Sequence, residues 1–301
     1  MYLHEERDLF RKIIISASEQ LGIVPQMVEK DYYVTMILRL LSDSYNNVVF
    51  KGGTSLSKAY NIISRFSEDI DVTFTEHIGG SRRKKLKNDV ILGISRTMSV
   101  PIANWSETQS DRDVNSYVFD YESLFSPDAK ISGGVKLETA LGSHAFPVVE
   151  MKIENYINTY LSEAGEVDLI EKFVLNPFEM KVQSLERTFI DKIFALCDYY
   201  LQGKSRRLSR HLYDIFKIEP HVTIDDSFQQ LVKDVRNHRR GMAVCPSAEP
   251  AVDIPGLICS ICDSDFYKDD YEKITQYFAW DSVAYEEAKK CLLNLSTRVS
   301  F

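Results

Sequence analysis

The chain of 301 residues is poor in several features that mark whole classes of protein. No uninterrupted apolar run approaches the roughly 20 residues that a membrane-spanning helix needs. The start, MYLHEERDLFRK, is charged where a secretory signal is apolar. Both absences lead to the expectation of a cytoplasmic protein with no membrane contact. Cysteine is scarce and scattered, at Cys197, Cys245, Cys259, Cys262 and Cys291, an odd set that suits free thiols better than a disulfide framework. Cys259 and Cys262 make one CxxC, but a structural zinc site takes a second ligand pair and none lies nearby. The six histidines, His4, His77, His144, His211, His221 and His238, show no HxH or HExxH spacing; His211 stands out because it lies near Asp214. Positive charge is short as well: 36 Lys and Arg stand against 44 Asp and Glu, a net charge of −8. An all-over nucleic-acid binder is excluded, because neutralising phosphates needs a surplus of cations. Internal repeats and low-complexity tracts are absent too.

What remains is the balance of a chain that folds throughout, with 44% hydrophobic and 27% charged residues. The length fits two domains or one elaborated domain. Two helical patterns open it, with Leu9, Ile13 and Ile14 in the first and Met27, Tyr32, Met36, Leu38 and Leu41 in the second. A β-branched run, residues 47–51, then leads into Gly52-Gly53-Thr54-Ser55 and a helix expected over 55–63. In residues 69–74, Ile70, Val72 and Phe74 alternate with Asp69, Asp71 and Thr73, which predicts a strand with both carboxylates on one face. A basic helix over 81–99 and strands near 114–121, 133–141 and 147–153 complete a mixed α/β half. From Glu186 the pattern is almost wholly helical, in segments near 186–202, 207–218, 226–241, 256–263, 269–278 and 281–297. The division this predicts is residues 1–185, mixed α/β under a helical cover, and residues 186–301, helical.

Three basic clusters interrupt the acidic balance: Arg82, Arg83, Lys84, Lys85 and Lys87; Lys204, Arg206, Arg207 and Arg210; and Arg236, Arg239 and Arg240. Each reads equally well as a solvated helix face or as an anion-facing surface.

The chemistry concentrates in Gly52-Gly53-Thr54-Ser55-Leu56-Ser57-Lys58 and in Ser67-Glu68-Asp69-Ile70-Asp71. Glycines let a backbone approach a ligand closely, and amides at a helix start suit a phosphate. Gly52, Gly53, Thr54, Ser55 and Lys58 are therefore the candidate phosphate-binding residues. Two carboxylates on one strand face can share divalent cations, and magnesium prefers such hard oxygen ligands. A Gly-Gly turn alone is an ordinary turn, and two aspartates alone an ordinary solvated face. Strand, glycine turn, helix and aspartate strand in that order point to nucleotide chemistry.

This order resembles the DNA polymerase β-like nucleotidyltransferase superfamily, and the string KGGTSLSKAYNIISRFSEDIDVTF is similar to AbiEii/AbiGii-type nucleotidyltransferase toxins. The resemblance implies an α+β fold: a polymerase β-like domain with a mixed sheet, plus a C-terminal helical domain that completes the active site. It implies magnesium, held by Asp69 and Asp71, and a nucleoside triphosphate as donor. It also implies a lysine and an aspartate downstream, which Lys192 and Asp214 supply. Read from its own surroundings, Lys192 lies among Phe189, Ile190, Ile193, Phe194 and Leu196, so its ammonium needs an anion. That anion is a nucleotide phosphate or, in an internal salt bridge, Asp214 or Asp191. A third carboxylate expected on a later strand is Glu138, with Glu150 in a similar setting. The implied partners are the 3′ end of transfer RNA as acceptor and a separately encoded antitoxin, in a type IV-like toxin–antitoxin and phage-defence system. A protein or small-molecule acceptor, or a catalytically silent nucleotide-binding module, stay open at this point.

Overall fold

The computed structural model describes residues 1–126 and 131–301, which form two compact units. One unit is Met1–Ala59 with Ser67–Gln183; the other is Tyr60–Phe66 with Ser184–Phe301.

In the first unit, α1 (Arg7–Leu21) buries Phe10, Ile13, Ile14 and Ala17 at helical spacing and stops at Gly22, whose left-handed backbone (φ +66°) caps it. Helix α2 (Pro25–Ser44) starts with proline in its first turn and is buried on nearly all sides from Tyr32 to Leu38. Strand β1 (Val48–Lys51) passes directly into α3 (Gly52–Lys58), and β2 (Ile70–Phe74) follows. The expected basic helix is α4 (Gly80–Lys85), a π-helical stretch Leu86–Ile91, and α5 (Leu92–Thr97). Strands β3 (Val114–Phe119), β4 (Val135–His144) and β5 (Val148–Ile153) come next, then α6 (Tyr156–Glu163), α7 (Val167–Lys172) and β6 (Phe178–Gln183). The strands form one six-stranded mixed sheet in the order β3-β4-β2-β1-β6-β5. Strand β2 is central: antiparallel to β1 and parallel to β4.

Three local expectations change. The helix expected over 55–63 begins at Gly52 and ends at Lys58, and Asn61, at φ +52°, leaves helical backbone altogether. Strand β6 and helices α6 and α7 are not anticipated by the sequence pattern. Thr73 does not share an open face with Asp71: it is buried, with its hydroxyl 2.9 Å from the Ala140 carbonyl and 2.6 Å from that of Ser143.

The second unit is built on helices α8 (Leu185–Leu201), α9 (Arg210–Ile218), α10 (Asp226–Arg239) and α11 (Ile254–Asp263). After them come α12 (Lys268–Asp270), a π-helical stretch Tyr271–Thr275, α13 (Gln276–Phe278) and α14 (Tyr285–Arg298). Side-chain caps start three of these helices, at Ser184, Asp225 and Asp253. Helix α9 is capped from elsewhere in the unit: the Asp270 carboxylate accepts from the amides of Arg207 and Ser209 and from the Ser209 hydroxyl. The segment Tyr60–Phe66 is strapped into this unit by its backbone. Ser64 N–H donates to the Tyr213 hydroxyl at 3.0 Å, Trp280 N–H to the Ser64 carbonyl at 2.9 Å, and Phe66 N–H to the Phe278 carbonyl at 3.1 Å.

Among the described residues, no helix is long and apolar enough to cross a membrane. All five cysteines are free thiols.

Candidate active site

The register of three strands assembles the acidic group in the first unit. Asp71 lies opposite Lys51 of β1 on one side and opposite Glu138 of β4 on the other, and Asp69 stands just before β2. Glu138 is thus the third carboxylate that shares this place, whereas Glu150 sits on β5, at the far edge of the sheet, opposite Lys181. Lys136, two residues before Glu138 and on the same face, brings its Nζ to 2.8 Å from Glu138 Oε1 and 3.6 Å from Asp69 Oδ2. An ammonium therefore already lies between two of the carboxylates. Burial pushes the Asp71 carboxyl up to about 6; Lys51 opposes this, and the charges of Glu138 and Asp69 reinforce it.

Gly52 is required where it stands. Its backbone is left-handed (φ +80°), and a Cβ there would lie 2.1 Å from Asp71 Oδ2. The turn and the carboxylate are packed against each other with no room for a methyl group. Thr54 anchors the approach to β2: its buried hydroxyl donates to the Asp69 carbonyl at 2.5 Å and lies 2.9 Å from the Ser67 hydroxyl. Lys30, fully buried on α2, holds Glu68 at 2.5 Å together with the Ser132 carbonyl and hydroxyl, which tethers the same approach from the other side. The remaining turn residues are engaged within the unit. Ser55 Oγ, also buried, donates to the Gly52 carbonyl at 2.9 Å. Lys58 is paired with Asp31 at 2.5 Å and donates to the Glu154 carbonyl, so its ammonium is turned to these partners. Gly53 follows Gly52 in the first turn of α3.

The fit of a divalent cation can be judged from the donors. They are hard oxygens alone, their charges crowd one another, and a lysine already bridges two of them. Among the described residues, no group of three or more His, Cys, Asp or Glu side chains stands gathered as a metal cage. Magnesium takes one or two carboxylates plus substrate phosphates in preference to an all-protein cage, so an open acidic group of this kind fits it.

The second unit holds Lys192 and Asp214. They are paired at 2.6 Å, and Asp214 also receives Arg65 of the strap in a two-pronged pair, each prong 2.7 Å. Asp191 does not join them; it is bonded to Arg187 and Arg239. Arg65, Lys51, Lys136 and Lys30 are the residues that sequence reasoning did not place in a site. Of these, only Lys136 carried a legible signal, since it alternates with Val135 and Leu137 and so shares the face of Glu138.

The basic clusters divide by use. Arg236 donates to the Ala248, Glu249 and Val252 carbonyls and Arg239 bonds Asp191 and Asp198, so these two are structural, whereas Arg240 is exposed. In 82–87, Arg83 is buried on backbone carbonyls and Asp113, Arg82 pairs with Glu76, and Lys84 and Lys85 are exposed. Lys204, Arg206, Arg207 and Arg210 are all exposed.

No curated protein matches the chain. Among solved structures, MenT4, a nucleotidyltransferase toxin from Mycobacterium tuberculosis, aligns over 94% of this chain and 98% of its own, with 17% identity and a TM-score of 0.40. The model of a family described as the nucleotidyl transferase AbiEii toxin of type IV toxin–antitoxin systems matches residues 37–280, a span that takes in the glycine turn, the acidic strands, Lys192 and Asp214. With most of its length in that match, the chain belongs to the AbiEii family of nucleotidyltransferase toxins.

Proposed function

We propose that the protein moves a nucleoside monophosphate from a nucleoside triphosphate to the 3′ end of transfer RNA, with magnesium, in the cytoplasm. It acts as a toxin held in check by a separately encoded antitoxin, in a phage-defence setting. The observation that carries the chemistry is the side-by-side placement of Asp71 and Glu138, with Asp69 just before the same strand. These three would hold the metal together with oxygens of the triphosphate, since they are not gathered as a cage by themselves. When bound, a divalent cation supplies charge neutralisation at the triphosphate and at the attacking and leaving oxygens. The chain's own groups do the rest. Glu138 takes the proton of the attacking hydroxyl, whose oxygen forms the new bond to the α-phosphorus as the bond to the β-phosphate oxygen breaks and pyrophosphate departs. The turn at Gly52, Gly53, Thr54 and Ser55 supplies backbone N–H groups to the outer phosphates, and Lys192 is the cation assigned to the nucleotide. Lys58 keeps the turn seated through Asp31. The exposed Lys204, Arg206, Arg207 and Arg210 support RNA as the acceptor, since they face solvent.

Purified protein given each α-phosphate-labelled nucleoside triphosphate, RNA and protein extract should label RNA in magnesium, and EDTA should abolish the label. Label in protein alone would reassign the acceptor. Absence of both label and pyrophosphate with every nucleotide would leave a binding module. Gly52→Ala tests the turn: the added methyl displaces the Asp71 carboxylate, and a displacement near 1 Å costs roughly 100-fold in rate. We expect that loss of transfer from a variant whose circular dichroism matches wild type; near-normal activity would show that Gly52 is only a turn.

A further inference from the structure

Lys192 and Arg65 converge on a single carboxylate. Arg65 Nε lies 2.7 Å from Asp214 Oδ1 and its Nη2 2.7 Å from Oδ2, while Lys192 Nζ lies 2.6 Å from the same Oδ2. Arg65 is 5% exposed, Lys192 5% and Asp214 0%, so two cations and one anion are held away from water. The cluster carries one positive charge in excess, which is costly in a buried place unless an anion arrives. A second charge group in the unit has its cations and anions in equal number, with Arg187 and Arg239 facing Asp191 and Asp198. A counter-ion for Lys192 would need Asp214 alone. The arginine spoils that neutrality, and its planar fork takes both carboxylate oxygens, leaving Lys192 a shared position on one of them. His211, next to the cluster in sequence, registers the same excess: burial first, then the charges of Lys192 and Arg210, keep its imidazole neutral.

We infer that Arg65 is a positioning residue, taking up both oxygens of Asp214 so that the carboxylate orients Lys192 without claiming it, and Lys192 is left available to a nucleotide phosphate. Without Arg65, Asp214 and Lys192 collapse into a neutral ion pair. The ammonium is then committed, and charge is lost from the ground state and the transition state alike. The inference rests on the assignment of Lys192 to the nucleotide.

The test is steady-state transfer kinetics on full-length Arg65→Gln, Arg65→Lys and Lys192→Ala, each first checked for cooperative thermal unfolding. Arg65→Gln should raise KM for the nucleoside triphosphate about tenfold or more, with kcat within about threefold, the signature of lost uniform binding. Arg65→Lys restores the charge without the fork and should recover most of that KM. A brace that serves only stability predicts the opposite, equal damage from both variants or a wild-type KM in a folded Arg65→Gln protein, and either result overturns the inference. If Arg65→Gln does not fold, Arg65→Met, which also removes the charge, is read by the same criteria, and a tenfold rise of KM in a folded Arg65→Lys protein ends the inference. Lys192→Ala separates the two levels, because unchanged kinetics there would refute the nucleotide role of Lys192 itself.

Discussion

Asp71→Asn is expected to cut nucleotidyl transfer by about 1,000-fold or more, and to leave the metal-free protein at least as heat-stable as wild type. The two halves have one origin. Asp71 is half-buried beside Glu138 and Asp69, and desolvation together with their charges raises its folded-state pKa to about 6, above that of an unfolded aspartate. An acid with a raised folded pKa costs stability once the solution is basic enough to ionise it in both states, and at pH 7 that condition holds. Asparagine keeps the shape and removes the charge, so the cost disappears together with the cation-binding group. Parallel assays of label transfer and thermal unfolding in EDTA check this. A variant within tenfold of wild-type activity would remove Asp71 from the catalytic group, and a clear fall in melting temperature would show that its carboxylate is structural.

The opposite balance is expected at Asp214→Asn, which should destabilise the fold by about 3–5 kcal/mol by leaving two buried cations without their counter-charge. Burial by itself raises the Asp214 carboxyl, but Arg65 and Lys192 outweigh it and hold the group well below the usual carboxylate range. A depressed folded pKa gives stability that is complete above the unfolded value, near pH 4, and is lost only as the pH falls through the folded one. The difference in unfolding free energy between wild type and Asp214→Asn should therefore stay flat from pH 7 to about pH 4. Urea unfolding at several pH values reads both quantities. A difference below about 1 kcal/mol at pH 7 would mean that Asp214 does not carry the charge of this cluster.

Asp71 and Asp214 also mark how far the sequence could be read. The period-two alternation around Asp71 and the helical spacing after Glu186 are local patterns, and both reappear as a mixed sheet and a set of helices. Strand partners are not local. Glu138 and Glu150 have the same alternating surroundings, and only the parallel pairing of β2 with β4 sets Glu138 beside Asp71. Strand β6 was missed because its run after Pro177 is short and carries Glu179 and Lys181. The basic cluster near 236–240 stayed open for a related reason: spacing shows that Arg236 and Arg239 lie one turn apart, but not that backbone carbonyls and aspartates consume them. Arg65 had no signal at all. It lies in an irregular segment whose partners, Asp214 and Ala279, are far along the chain.

That irregular segment limits how the protein can be divided. The polypeptide lends Tyr60–Phe66 to the second unit and returns to the first at Ser67, long before the main crossing after Gln183. One scission after Gln183 therefore does not yield two self-sufficient halves. The N-terminal fragment would carry Arg65 with no acid to receive it, and the C-terminal fragment would keep Asp214 with Lys192 alone. Reconstitution from two pieces, or a gene fusion that separates them, has to carry the seven borrowed residues with the helices they belong to.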